Sequence, residues 1–411
     1  MLIVQAVCMQ AAVVSAQHIK PGGYCYVEHA GFRQSLFNPH DLMMKQGGMD
    51  PGPKYNLNLY AEARHTRGSV YVQADILARI RGSETWDTDT SCPQFFCDIN
   101  LGSLVITAGR VIHRWGTGYA FNPTDVIAPA KDVSDPENSM KTAAGNDMVK
   151  AEFFGETWSA GVSIMGSVRT EHGLRVEHPR AAFRLYKAAG MADLSVIALI
   201  HASEKPLWGV NGVTVIGERL ELHGECAWYA GSRQKYHRVL YDEYRLYDTD
   251  PFTQGPRPAS IHCEWVAGFQ YTLSGRALVI AEWLRHEGMS RQQWDRFTGY
   301  CSWLHARMSG PEQCRAASNL LWCARAYTQS GAMRHYVMAT FQYKYDDRLH
   351  ARAAIYVNMF DGSYAAMPFV SYRIKNTLSL YVRGFIFKGP RNSEFGEFFQ
   401  SFSIEGGVRL L

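Results

Sequence analysis

The chain has 411 residues, with 42 Lys and Arg against 38 Asp and Glu, and a net charge of +4. That balance is small for the length and no long basic run occurs, which argues against a nucleic-acid partner. Mean hydropathy is −0.22, and beyond the start no apolar run reaches the roughly 18 residues of a membrane helix; a membrane barrel escapes that test because half of each strand is polar.

Leu2 to Ala16 is apolar and ends in Val14-Ser15-Ala16, a small-residue pattern suited to a cut before Gln17. Residues 1–16 are therefore expected to be a signal peptide, with a buried N-terminal segment as the alternative. No Lys or Arg precedes the apolar core, and Val7 before Cys8 fits a lipoprotein site poorly. Of nine cysteines, eight remain after removal of Cys8. An exported chain permits disulfides, but Cys226 and Cys263 are read as unpaired, buried thiols. No Cys-x-x-Cys pair or His cluster supports a metal.

From there the chain alternates apolar and polar residues. The clearest run is Val70 to Ile80: Val70, Val72, Ala74, Ile76, Ala78 and Ile80 share one face, and Tyr71, Gln73, Asp75, Leu77 and Arg79 the other. A period of two is a strand with one apolar and one polar face. In chain order the strands fall at 23–33, 55–64, 69–80, 95–101, 104–113, 147–154, 158–166, 180–188, 192–202, 208–217, 220–231, 261–273, 277–287, 335–345, 348–358, 363–373, 377–387 and 401–411. A loop of about fourteen residues is expected after residue 80, ahead of a tight hairpin at Gly102-Ser103. Long connections are expected at 114–146, 232–260 and 288–334.

The pattern predicts an all-β chain, a single closed antiparallel transmembrane β-barrel over 17–411 with about 18 strands, or 16 if two of the weakest (23–33, 180–188, 208–217) are lost. Strands of about ten residues, longer than the soluble mode, and alternating short and long connections favour a barrel in lipid over a soluble sandwich. In hydrocarbon every backbone group needs a partner, so the sheet must close. An even count places both termini at the short-turn end.

The stretch Ala108-Gly-Arg-Val-Ile-His-Arg-Trp-Gly-Thr-Gly-Tyr-Ala-Phe-Asn-Pro-Thr-Asp-Val126 resembles porin-like outer-membrane β-barrel proteins of Gram-negative-type bacteria. Leu220 to Gly231, Trp265 to Leu273, Ile280 to Gly288 and Asn392-Ser-Glu-Phe-Gly396 are similar to the same family. The resemblance implies the bacterial outer membrane, a porin-like role, no enzymatic cofactor and no assigned substrate. Its partners would be outer-membrane lipids, the barrel-assembly machinery and small polar solutes, with a homo-oligomer by analogy. Barrels of this kind usually end in an aromatic residue, whereas this chain ends Val408-Arg-Leu-Leu411.

With the polar face inward, the expected pore lining includes Asn56, Glu62, Arg64, Asp75, Arg79, Lys150, Glu152, Glu221, Glu225, Glu264, Glu282, Lys344, Arg352 and Arg383. Glu221, Glu225, Glu264 and Glu282 could form an acidic sector opposite Arg64, Arg79, Arg352 and Arg383, giving a transverse field; mutual ion pairing is the plainer reading. Arg110, Arg114, Trp115, Gly116, Asn122 and Asp125 mark a candidate constriction loop. Gly116 and Gly118 would permit positive φ, and Arg110 and Arg114 would anchor the loop to lumen carboxylates. The alternative is a surface loop with Trp115 in the interface belt. No Gly-x-Ser-x-Gly elbow occurs, and Glu221 and Glu225 stand roughly 13 Å apart along a strand, so no enzyme is expected. The reading is a diffusion channel for small polar solutes, with export, lipid handling or surface adhesion as the alternative.

Overall fold

In a computed structural model, the structure describes residues 18–34, 54–65, 68–81, 85–128, 145–169, 175–201, 206–231, 235–254, 261–324, 332–396 and 400–410. The expected signal peptide, 1–16, lies outside the described residues. The strands are β1 (His18–Gln34), β2 (Lys54–His65), β3 (Gly68–Arg81), β4 (Thr85–Leu101), β5 (Leu104–Val111), β6 (Asn146–Phe154), β7 (Trp158–Arg169), β8 (Arg175–Ala189), β9 (Ala192–His201), β10 (Leu207–Ile216) and β11 (Leu220–Ala230). After a small hairpin of β12 (Lys235–His237) and β13 (Phe252–Gln254) come β14 (Ile261–Ser274), β15 (Ala277–Arg285), β16 (His335–Lys344), β17 (Leu349–Asn358), β18 (Tyr364–Lys375), β19 (Leu378–Lys388) and β20 (Gln400–Leu410). Apart from β12 and β13, these form one 18-stranded antiparallel sheet. β1 bonds to β2 on one side and to β20 on the other, with Cys25 opposite Leu410 and Phe32 opposite Ser403. The ring is closed, and no strand of it keeps a free edge.

The sheet is inverted relative to a soluble protein. Ile164 (61 %), Leu185 (55 %), Val196 (54 %), Trp208 (56 %) and Val382 (54 %) are exposed on its outer surface, while Ser163, Lys150, Glu152, Ser195, Asn211 and Glu225 are buried on the inner one. An apolar belt of this extent needs lipid, not water, around it. Each expected strand has its counterpart, including the three weakest.

Two expectations need correction. The loop expected before residue 95 is mostly strand: β4 begins at Thr85 and stays in register with β3. The register slips where Gln73 faces Gln94 but Asp75 faces Ser91. Pro93, which would break a regular ladder, sits in that bulge. The connection 288–334 contains two helices, α1 (Arg291–His305) and α2 (Gln313–Ala324). Ser290 opens α1 with a capping box: its Oγ accepts from Gln293 N (3.3 Å), and its own N–H donates to Gln293 Oε1 (2.9 Å).

Two apolar clusters fill the loop end of the barrel. In one, Trp115 and Ile127 pack on the inward-facing Met148, Met165, Ile197, Leu199, Leu207 and Tyr229. In the other, Trp294, Phe297, Tyr300 and Leu304 of α1 meet Leu320 of α2, Val239 and Tyr247 of the β12–β13 connection, and Leu284, Met338 and Met367 of the wall. This second cluster builds a cap from the β11–β14 and β15–β16 connections.

Candidate functional site

The connection after β5 turns into the ring. Residues 112–128 run across the inner surface of β10, β11 and β15, and two wall carboxylates hold them. Glu225 of β11 receives Thr117 N–H and, on the same oxygen, Gly118 N–H at 2.7 Å and Asn122 Nδ2 at 2.8 Å. Its other oxygen accepts Thr124 N–H at 3.0 Å and Thr124 Oγ1 at 2.7 Å. Glu282 of β15 accepts Tyr119 N–H and Ala120 N–H (2.9 Å), and its Oε1 lies 2.9 Å from His223 Nε2. A carboxylate withdrawn from water needs such donors, and backbone N–H groups withdrawn from water need acceptors. Each glutamate satisfies several loop amides that have no ladder to join.

The loop is also braced from within. Asp125 accepts Arg114 NH1 at 2.8 Å and Trp115 N–H at 2.9 Å. Burial raises the Asp125 carboxyl above its ordinary value, against the pull of Trp115 N–H and Arg114. Asn122 Nδ2 donates to Gly118 O at 2.7 Å. Asn211 of β10 donates to Trp115 O (2.9 Å) and to Thr124 Oγ1 (2.8 Å). Gly116 and Gly118 are not at positive φ. They are needed for close approach: a Cβ on Gly116 would lie 2.7 Å from Asn122 Cβ, and one on Gly118 would collide with the Phe121 carbonyl oxygen.

The residues expected in the loop thus separate. Arg114, Trp115, Gly116, Asn122 and Asp125 come together inside the ring. Arg114 pairs with Asp125 of its own loop, not with a wall carboxylate. Arg110 stands apart on β5, where it makes a two-pronged ion pair with Asp147 of β6 at 2.8 and 3.0 Å. Asp147 alternates with Met148 and Lys150, so this pair lies on the surface opposite the lumen. Strand register decides this: Arg110 is Asp147's neighbour on the ladder.

The other expected lining residues are mostly engaged. Lys150 Nζ is 3.1 Å from Glu152 and 3.5 Å from His113 Nε2. Glu264 accepts Glu287 N–H at 2.9 Å. Glu221 lies 3.8 Å from His223 Nδ1. Glu62 pairs with Arg64 at 2.7 Å, and Arg383 with Glu405. The Arg352 guanidinium lies 5.2 Å over the Phe369 ring, and Lys344 is exposed at the short-turn end. The side chains of Asn56, Asp75 and Arg79 lie outside the described residues. His223, expected on the lumen wall, meets Glu282 there, whereas Asn211, Thr117 and Thr124 are site residues that sequence reading missed. Asn211 carried a signal: it is a lone amide on the inner face of Leu207-Trp-Gly-Val-Asn-Gly-Val213, between Gly209 and Val213.

Eighteen antiparallel strands closed on themselves, apolar outside, with a loop seated inside, define a porin-like outer-membrane β-barrel architecture. Among solved structures the chain is similar to OccAB1 of Acinetobacter baumannii, at 7 % identity over 96 % of each chain with a TM-score of 0.57. It is similar to OccK11 (OpdR) of Pseudomonas aeruginosa, at 9 % identity over 95 % of this chain and 94 % of that one, TM-score 0.53. A third is Wzi of Escherichia coli, described as a carbohydrate-binding β-barrel involved in group 1 capsule assembly, at 10 % identity over 98 % and 86 %, TM-score 0.52. No protein-family model matches the chain, and no curated protein does. At these identities the likeness is one of fold.

Proposed function

We propose that the chain is a porin-like channel of a bacterial outer membrane, passing small polar solutes by diffusion, with residues 112–128 as the constriction. The observation that carries this reading is the seating of that loop on Glu225 and Glu282. Barrels of this size enclose an aqueous passage unless a segment fills it, and a loop pinned to one arc of the wall narrows the passage. Beside the loop, the wall of β6, β8 and β9 offers Lys150, Glu152, Arg184 and Ser195, a polar surface of both signs suited to hydrated solutes. The long connections face the cell exterior and the short turns the periplasm, the usual polarity of such barrels. Lipid on the outer belt, the barrel-assembly machinery and a homo-oligomer are the partners this reading carries.

Planar-bilayer recording of the purified protein tests it. Discrete conductance steps are expected, and Glu225→Gln with Glu282→Gln should enlarge or destabilise them by freeing the loop. A barrel that inserts but stays silent in both forms would reject the channel.

One observation favours a second reading, a surface-binding barrel. The cap over the long-loop end exposes Tyr241 and also Tyr244, whose ring lies 6.1 Å from Trp303, itself covered by Arg307 at 3.6 Å. Exposed aromatics among arginines suit a polar chain such as a glycan. Silence in bilayers together with saturable binding of purified capsular or lipid-linked glycan would favour this reading.

A further inference from the structure

We infer that Cys226 and Cys263 form a disulfide on the outer surface of the barrel, a covalent staple between β11 and β14. The two sulfurs lie 3.2 Å apart, and both residues are free thiols in the structure. The ladder explains the approach. Cys226 faces Trp265 and Trp228 faces Cys263, so the four residues form a square with the cysteines on one diagonal and the indoles on the other. The sulfurs are already in contact, and closing to a bond of about 2.05 Å draws the two strands together at this diagonal, where neighbours ordinarily stand roughly 7–8 Å apart.

The square lies on the lipid side. Its neighbours on that surface, Leu222, Trp228, Ile261 and Phe269, are exposed, whereas His223, Glu225, Ala227 and Tyr229 of β11 are buried on the other side. Trp208, Trp228, Trp265 and Trp283 run across β10, β11, β14 and β15 at this level, with Trp208 opposite Trp228 and Trp265 packed edge-on to Trp283 at 5.0 Å. Tryptophans gather at the boundary between hydrocarbon and water. The exchange belongs to the exported chain before lipid encloses the barrel, when both thiols meet water and thiolate, the form that attacks, is accessible.

The oxidant is a protein disulfide of the thiol-oxidase class. One thiolate attacks a sulfur of that disulfide and displaces its thiolate. The second cysteine then attacks the mixed disulfide. The chain's two thiols lose two electrons and two protons, and the oxidant leaves as a dithiol. Such an environment follows from the outer-membrane reading proposed above, on which the inference rests. The bond would close the whole 226–263 connection, including the β12–β13 part of the cap, and would fix β11 one residue from Glu225, the loop's main anchor. Once lipid covers it, soluble reductants reach it poorly.

The test uses the full-length protein extracted from membranes. Thiols are trapped with N-ethylmaleimide under denaturing conditions without reductant, and the peptides are mapped by mass spectrometry. A linked peptide containing Cys226 and Cys263 is expected, 2 Da lighter than the sum of its parts. Both residues should be alkylated only after reduction, and C226S should leave Cys263 alkylated without it. Exposed Cys314 monitors the reagent. Maleimide on both residues of unreduced, conducting protein would overturn the bond and leave the channel standing. A silent barrel that carries the bond would do the reverse.

Discussion

Two segments occupy the loop end of this barrel, and the balance of forces that holds them differs. Residues 112–128 are seated at their centre by charge-assisted hydrogen bonds to Glu225 and Glu282, with Trp115 and Ile127 packed on the apolar wall at their two ends. The cap of α1, α2 and the β12–β13 connection is seated by an apolar cluster around Trp294, Phe297, Tyr300 and Leu320. Dispersed polar bonds join its parts: Asn319 exchanges two 2.9 Å bonds with the Tyr247 backbone, Arg296 Nε donates to Val239 O at 2.7 Å, and Trp294 Nε1 donates to Asn392 O at 2.7 Å. Polar anchoring fixes a short segment to the ångström but concentrates its hold in one or two side chains. Apolar packing spreads the hold and tolerates loss at any one point. A segment that must define an aperture suits the first design, and one that must cover a mouth suits the second.

The contrast can be broken from either side. The largest effect is expected from Glu225→Ala, which strands several buried donors at once. It should cost the loop's seat about 3–5 kcal/mol, as for removing one partner from a buried charged network, and appear as larger, noisier conductance with the barrel still folded by gel mobility. Trp294→Ala should cost the cap about 3 kcal/mol because its neighbours can close in. Limited proteolysis should then cut within 286–334 while the conductance set by 112–128 persists. If both variants perturb both segments equally, the two are one cooperative unit and the contrast fails.

Acidity separates them next. Glu394, buried where the cap meets the last long connection, accepts Ala332 N–H at 2.6 Å, Tyr336 OH at 2.7 Å and Asn358 Nδ2 at 2.7 Å. Burial, with Asp361 nearby, pushes its carboxyl from an ordinary 4.5 up to about 7. The folded value is raised, so the stability it contributes is complete below the unfolded value and is lost as pH rises through about 7. Protease resistance of the cap should fall across that window, and Glu394→Gln should flatten the response. Asn211→Ala should loosen the loop by about 2 kcal/mol, less than Glu225→Ala because only Trp115 O and Thr124 Oγ1 lose a donor. Ser290→Ala should cost about 1 kcal/mol, visible as fraying of α1 in hydrogen exchange and without effect on conductance.

How legible all this was in the sequence depended on the surroundings of each residue. β17 alternates cleanly, with Ala353 and Ile355 outside and Arg352 and Tyr356 inside, because lipid lies on one side and polar interior on the other. β9 is harder to read, since Ile197 and Leu199 face inward as Val196 and Ile200 face out. Its inner residues meet Trp115 and Ile127, so both sides are apolar and the period fades. α1 was missed although Ser290-x-x-Gln293 precedes Trp294, Phe297, Tyr300 and Leu304 at helical spacing; the signal was present, and a purely β reading passed over it. Arg110 could not be assigned, because its partner Asp147 lies 37 positions away and only register brings them together.

The sequence by itself determined the number and order of the strands, the two-sided character of most of them and the presence of a special segment after β5, since a period of two and turn chemistry are local properties of the chain. Tertiary structure decided which way that segment folds, which glutamates hold it, that two long connections merge into a cap and that Cys226 meets Cys263. These contacts join residues from 37 to more than 160 positions apart, and ring closure sets such distances: a side chain's partner across a barrel is fixed by the register of every strand between them, which no local pattern encodes.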